Sequence, residues 1–295
     1  MKTTDACSLL DHRLETLLVL VEAGSFSAAA RELYISQPAV SQQIKSLEND
    51  LDLALVKRCG KRVELTRAAY KLADYLSAFS LDSNKVMHRL RGEVEPPLKL
   101  GSTRSCGQFV LPQLMANLLE GGVRFIVKIA NTEELMADIK SGDVDLALVE
   151  GNFDRASFGS FDIETVPFVG VLGKGIPEPS EFEELLSLPL LLREPGSGTR
   201  LIFEEWLASR NLSVGDFERV VEIDNPSTIA NLLKLGQGVS FMYKPVIGDE
   251  LERGTVALVP ERLFAVEHPI SCVYLKGSSD EAYFKSCFSI DSVSQ

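Results

Sequence analysis

A proline two places after a serine, followed by apolar residues at Val40, Ile44 and Leu47, is the feature that most limits what this chain can build. The i, i+4, i+7 spacing predicts a helix over residues 36–48 with one buried stripe. Ser36 is placed as its N-cap and Pro38 falls in its first turn. Gln37, Ser41, Gln42 and Lys45 are left on the outward face. Long amides, a small hydroxyl and a lysine suit base edges and phosphates, whereas a solvated helix more often carries Glu and Lys pairs. An ordinary amphipathic helix has the same stripe, so the flanks decide between the two readings.

Upstream, Leu14, Leu17, Leu18 and Val21 share a face of a helix expected to start after Asp11 and stop at Gly24. Ser25 can cap the next helix, residues 27–33, whose run of alanines permits a close crossing. Tyr34 and Ile35 make a tight connection into the polar-faced helix, which gives a helix-turn-helix. Downstream, residues 53–66 read as two short strands around Gly60, with Lys57, Arg58, Lys61 and Arg62 at the tip. By itself this is a solvated basic turn; beside such a helix it has the form of a wing that contacts phosphate or the minor groove.

Residues 17–66, and in particular the segments 24–30 (GSFSAAA), 36–41 (SQPAVS) and Ile44 with Leu47-Glu48, resemble the winged helix-turn-helix of LysR-type transcriptional regulators. The resemblance implies a double-stranded DNA operator as partner. The residues expected at the DNA are Arg31, Ser36, Gln37, Pro38, Ala39, Ser41, Gln42, Lys45, Lys57, Arg58, Lys61, Arg62 and Thr66. Two positions depart from the family pattern: Gln42 stands where an arginine is common, and Thr66-Arg67-Ala68-Ala69 replaces Thr-Glu-Ala-Gly. An amide at position 42 pairs more naturally with adenine than with guanine.

A net charge of -12 opposes nucleic-acid binding until its distribution is examined. Residues 1–95 hold 13 Lys and Arg against 13 Asp and Glu; the remainder holds 17 against 29, so all the acidity lies in the second part. With a screening length of about 8 Å, a neutral N-terminal portion can bind DNA locally. Cys7, Cys59, Cys106, Cys272 and Cys287 form an odd set without a C-x-x-C pair, which supports neither a disulfide framework nor a zinc site. No apolar run is long enough to span a bilayer and no leader pattern opens the chain, so a cytoplasmic protein without membrane association is expected.

Beyond Arg67, Ala69, Leu72, Leu76, Phe79, Val86 and Leu90 recur at spacings of three and four, with Ser83 in the interrupted seam position. This is a coiled-coil register. Such a seam packs on the body of the protein or pairs with a second subunit; pairing is the preferred reading, and the resemblance implies a linker helix that dimerises. Pro96-Pro97 marks the exit into a new domain. The expected domains are 1–66, the linker helix 67–95, and an effector domain 96–295. Its lobe I takes about 96–167 with 267–295, and lobe II about 168–266.

In the last two thirds, strands at 98–103, 123–129 and 145–149 alternate with helices at 109–119 and 133–140, which predicts a parallel, doubly wound α/β sheet. Ligands in such sheets sit beyond the carboxyl ends of strands, here Ser102-Thr103, Asn131-Thr132 and Glu150-Gly151-Asn152. A second α/β unit begins near Val169. Its strand at 190–192 leads into Gly196-Ser197-Gly198-Thr199-Arg200 at a helix start, which reads either as an anion cradle or as a tight loop with a capping hydroxyl. No lysine follows Gly198, against a nucleotide-hydrolysing P-loop. Ser227 opens another helix that could face the same cleft.

Leu111-Pro112, the segment 142–148 and the segment 236–241 are similar to the LysR-type effector domain, itself resembling periplasmic binding proteins. The resemblance implies a homodimer or tetramer and a small effector between two lobes, at Ser102, Thr103, Thr132 and residues 196–200, with Arg104 beside them. A carboxylate, phosphate or sulfur oxyanion is the expected effector class. No cofactor and no metal is expected. Catalysis is disfavoured because His12, His88 and His268 stand beside no recognisable nucleophile or ligand spacing. Cys106, two residues after Arg104, leaves a thiol-based sensor as a third reading.

Overall fold

The computed structural model describes residues 10–59, 62–92, 94 and 96–288. The chain divides into two compact units, one formed by residues up to 96 with 275–279, the other by residues 97–274 and from 280 onward.

In the first unit, Asp11 caps α1 (His12–Ala23) by accepting the Arg13 N–H at 2.8 Å, and Gly24 ends it at φ 67°. Ser25 caps α2 (Phe26–Glu32), and Ser36 caps α3 (Gln37–Leu51) by accepting the Ala39 N–H at 3.3 Å. Val40, Ile44 and Leu47 are the buried residues of α3, as their spacing predicts. They pack with Leu17, Leu20, Ala29 and Ala30 in one core. The two alanines bring α2 close to α3 with no bulk between them. The wing strands are β1 (Val56–Cys59) and β2 (Arg62–Leu65), antiparallel, with Val56 opposite Leu65.

Helix α4 (Arg67–Leu90) carries the linker seam. Its first half does not wait for a partner: Ala69 and Leu76 are buried in the core of the helix-turn-helix, with half-buried Leu72 against it. Phe79 and Leu90 are exposed, and the Val86 side chain lies outside the described residues. The same three-four spacing thus serves an intramolecular contact over two turns, after which apolar positions face outward.

The second unit is built on one sheet. Lobe I supplies β3 (Leu98–Thr103), α5 (Cys106–Phe109), α6 (Leu111–Glu120), β4 (Phe125–Ala130), α7 (Thr132–Ser141) and β5 (Leu146–Val149). A long strand, β6 (Phe158–Leu172), leads into lobe II, with β7 (Pro189–Leu192), α8 (Gly198–Ala208), β8 (Arg219–Glu222), α9 (Pro226–Lys234), β9 (Val239–Tyr243), α10 (Gly248–Glu252) and the short β10 (Ala257–Leu258). Strand β11 (Val266–Leu275) returns to lobe I before α11 (Glu281–Phe288).

The order β4-β3-β5-β11-β6-β9-β7-β8 corrects the expectation of a wholly parallel sheet. β3 runs parallel to β4 and β5, and β7 parallel to β8 and β9, but β11 is antiparallel to β5 and β6 antiparallel to β9. Parallel neighbours need a crossover, usually a helix. Only loops precede β6 and β11, so these two strands run back across the junction between lobes. The helix expected over 109–119 is α6, preceded by the separate turn α5, because Pro112 has no N–H to offer Gln108 and the chain re-starts at Leu111. Lobe II closes around Phe203 and Phe241, stacked with centroids 3.9 Å apart, and Phe264, 4.6 Å from Phe241.

Candidate functional site

The outward face of α3 is as the periodicity predicts: Gln37, Ser41, Gln42 and Lys45 are exposed, as are Arg31, Ser36 and Pro38, with Ala39 half-buried. Polar bonds from the helix's other side fix its roll. The Thr16 hydroxyl donates to the Gln43 side-chain oxygen, and Arg13 donates to Ser46 at 2.9 Å and Asp50 at 2.5 Å. Ser27 donates to the Gln37 carbonyl oxygen at 3.3 Å, which leaves that side chain's NH2 as the group turned to a ligand. Tyr34, read in the sequence only as a connection, is 95% exposed at φ 56° just ahead of α3.

The wing is tied to α3 through Glu48, whose Oε1 accepts the N–H groups of Leu55 and Val56. Lys57 is exposed and 3.4 Å from Glu64. Of Arg58 and Arg62 only the backbone is described, and Lys61 lies outside the described residues. The Thr66 hydroxyl donates to the Ala54 carbonyl at 2.8 Å and accepts the Ala69 N–H at 3.2 Å. It joins the wing to the start of α4, and its proton is spent inside the protein.

In the effector half, Ser102 and Thr103 end β3 at the junction of the lobes, but neither hydroxyl is free to donate. Ser102 donates to the Thr103 carbonyl at 3.1 Å; Thr103 donates to the Glu150 carboxylate and accepts the Cys106 N–H. Glu150 is 1% exposed. Its Oε2 also accepts the Cys106 thiol at 3.1 Å, and its backbone carbonyl accepts the Thr132 hydroxyl at 3.4 Å. Across the junction, Gly198 lies against it: a Cβ there would sit 2.8 Å from the Glu150 carbonyl carbon and closer still to its oxygen. Burial and the nearby Glu150 charge raise the Tyr243 phenol above its ordinary range.

The predicted effector residues fall into two groups. Thr132, Gly196, Ser197, Gly198 and Arg200 line a cleft of about 420 Å³ with Glu133, Met136, Asn152 and Glu204. Asn131 caps α7 through the Glu134 N–H at 2.9 Å. Ser102, Thr103, Arg104, Asn131, Thr199 and Ser227 do not line that cleft, and Thr199 is buried behind it. Arg104 instead pairs with Glu194 at 3.1 Å and approaches Asp224 at 3.9 Å, while Ser227 accepts from Gln108 across the two lobes at 3.1 Å.

Ser197 precedes α8 without a side-chain cap bond, its hydroxyl lying instead 2.9 Å from Thr199. Arg200 is already engaged: it contacts Glu204 at 2.7 Å, Glu222 at 2.8 Å and the Arg193 carbonyl at 3.1 Å. Burial would lower its pKa, and the two carboxylates outweigh that, leaving it raised. Sequence reading puts Glu150 at a strand end facing the ligand without giving it a partner, and it misses Glu194 and Glu222. An acid at a strand end looks solvated until the fold brings distant elements around it.

The Cys106 thiol is fully buried, and burial together with the Glu150 charge pushes its pKa well above the ordinary thiol value. A protonated, enclosed thiol is a poor nucleophile, which weighs against a thiol sensor at this position. Among the described residues no group of His, Cys, Asp and Glu is placed to hold a metal ion, and no helix is long and apolar enough to cross a membrane.

Comparison with known proteins accounts for both halves. Residues 12–70 match the family model of the bacterial regulatory helix-turn-helix protein, lysR family, and residues 91–289 match the LysR substrate binding domain. A probable RuBisCO transcriptional regulator of Cyanophora paradoxa is 28% identical over 254 residues, covering 82% of this chain and 78% of that protein. The HTH-type transcriptional regulator CbbR of Rhodospirillum rubrum is 29% identical over 242 residues, covering 80% of each. Full-length LysG of Corynebacterium glutamicum, solved with the effector Arg, superposes with a TM-score of 0.65 at 19% identity, covering 95% of this chain and 98% of that one. The chain belongs to the LysR-type transcriptional regulators, a non-enzymatic family that joins a DNA-binding helix-turn-helix to a small-molecule effector domain.

Proposed function

We propose that the protein is a cytoplasmic homo-oligomeric regulator in which α3 enters the major groove of a two-fold operator, the wing contacts the flanking backbone, and a small anionic effector bound between the lobes biases the relation of paired heads. The observation that carries the DNA reading is the exposed row of Gln37, Ser41, Gln42 and Lys45 on a helix whose opposite stripe is buried. Arg31, Ser36, Pro38, Ala39, Lys57, Arg58, Lys61 and Arg62 complete the proposed surface. Thr66 acts by fixing the wing. Two exposed apolar positions on α4, Phe79 and Leu90, support dimerisation through the later part of the linker. The proposed domains are 1–66, 67–95 and 96–295.

For the effector, support comes from the uncapped start of α8, where free N–H groups and the helix dipole favour negative charge, with Thr132, Ser197 and Arg200 alongside and Thr199 behind Ser197. An anion there would take the place of a carboxylate on Arg200. Asn131, Ser102, Thr103, Arg104 and Ser227 stand outside the cleft lining and are proposed to meet the effector only as the lobes rearrange. A ligand that binds one arrangement tenfold better shifts the balance by about 1.4 kcal/mol. The test is thermal unfolding of the full chain with phosphate, sulfate and small carboxylates. Stabilisation that disappears in Arg200→Ala is expected; stabilisation untouched by that change would remove the loop from the site.

A further inference from the structure

We infer that Glu150 is a specificity-determining residue of the effector site, selecting a ligand that carries a hydrogen-bond donor, a hydroxyl or ammonium, as well as its acid group. This rests on the interlobe reading above and names the chemistry at the other end of the ligand. Hydrogen-bond accounting leads to it. Thr103 and Cys106 both donate to Oε2, while Oε1 receives no donor among the described residues. Oε1 is not among the wholly buried side-chain N and O atoms that lack a hydrogen bond in the described residues.

A carboxylate that is 1% exposed and has one oxygen without a donor has a strong preference for what meets it, because an unmatched charge away from bulk water is costly. The neighbours reinforce the sign. Ser102 and Thr103 have spent their protons inward and present lone pairs, so this end of the junction accepts and does not donate. Glu150 stands where both lobes meet, with Thr103 and Cys106 from lobe I and Gly198 from lobe II against it. The site is shut here, Ser102 and Thr103 being at most 1% exposed, so a ligand reaches Oε1 when the lobes part. The start of α8, which begins at Gly198, then supplies the acid end.

The probes are L-lactate, L-alanine and propionate, which share a three-carbon acid and differ in carrying a hydroxyl, an ammonium or no donor. Melting temperature of the full chain against each concentration gives apparent affinities. Lactate or alanine is expected to bind at least about tenfold more tightly than propionate. In Glu150→Gln the amide oxygen stays with the Thr103 and Cys106 donors and turns NH2 toward the ligand, from which lactate's hydroxyl can still accept, so it is the preference for alanine over propionate that is expected to vanish or reverse. Cys106→Ser, which keeps a donor to Oε2, retains it.

Equal binding of propionate overturns the inference without any variant, so a Glu150→Gln protein that fails to fold leaves it falsifiable. Preference for alanine over propionate that survives in a folded Glu150→Gln also overturns it. Stabilisation by phosphate or sulfate with none from the three acids refutes the donor inference and leaves the anion site standing. No stabilisation by any of these refutes both.

Discussion

Glu48 Oε1 accepts the backbone N–H groups of Leu55 at 2.7 Å and Val56 at 2.9 Å, so one carboxylate from the recognition helix sets the first strand of the wing. Leu55 is fully buried, and its N–H has no water to fall back on. Glu48→Ala should therefore cost about 1–3 kcal/mol of stability. It should also weaken DNA binding to all sequences alike, because it displaces the wing and touches no base. Urea unfolding of the full chain with parallel binding to specific and random DNA checks this. A variant as stable as the parent would show that the wing is placed by other contacts.

Gln42 is exposed on α3, on the face turned from the buried Val40, Ile44 and Leu47. A side-chain amide makes two bonds to adenine and fewer to any other base. Gln42→Ala is expected to relax preference at one position in each half-site, by about 1–3 kcal/mol of discrimination. Lys57→Ala and Lys61→Ala should weaken binding uniformly and flatten its dependence on salt, since each removes a phosphate contact. Mapping the bound DNA of the cell defines the operator, and titrations of single-substituted sites then separate the two behaviours. Uniform weakening by Gln42→Ala would take it off the base edges.

Local periodicity explains what was legible in the sequence. The cap at Ser36, Pro38 in the first turn and the stripe at Val40, Ile44 and Leu47 form a series whose successive members are at most four places apart, and each stands in the structure as the spacing predicts. The hydroxyls at Ser102 and Thr103 were also placed correctly at the end of β3. Their hydrogen-bond direction was not readable, because it depends on Glu150, which is 47 residues away from Thr103 in sequence. Arg200 shows the same limit. Its place at the head of α8 follows from the glycine-rich loop, but its engagement by Glu222 depends on β8, whose exposed Val220 and Val221 gave no periodic signal. The α4 seam is legible in another way: its spacing predicts the helix and allows either a contact within the chain or one with a second subunit, and Ala69 and Leu76 pack on the chain's own helix-turn-helix core.

Cys106 is enclosed, and its pKa is raised by burial and then by the Glu150 charge. The fraction present as thiolate near neutral pH is accordingly smaller than for a free cysteine, and only a rise in pH would increase it. Native protein exposed to mild peroxide or iodoacetamide at neutral pH should leave Cys106 unmodified, while the same treatment in denaturant modifies it. Peptide mass spectrometry reads both states. Rapid modification of Cys106 in the native protein would restore the thiol-sensor reading.

Gly198 offers a test of how tightly the lobes must meet. With no side chain, it lies against the Glu150 carbonyl, and Gly151, at φ 87°, packs back on the Gly198 Cα. A methyl group at position 198 cannot be housed by turning a flexible side chain, because the atoms it meets first are backbone. Gly198→Ala must therefore shift α8 away from β5 or destabilise the junction, at a cost of about 1–3 kcal/mol. If the proposed effector binds across that junction, the same variant should lose ligand-induced stabilisation while keeping DNA binding, since α3 belongs to the other unit. Thermal unfolding with and without phosphate, alongside DNA titration, distinguishes the cases. Normal stability and full ligand response in Gly198→Ala would mean that the lobes function without this contact, and that the site lies away from Glu150.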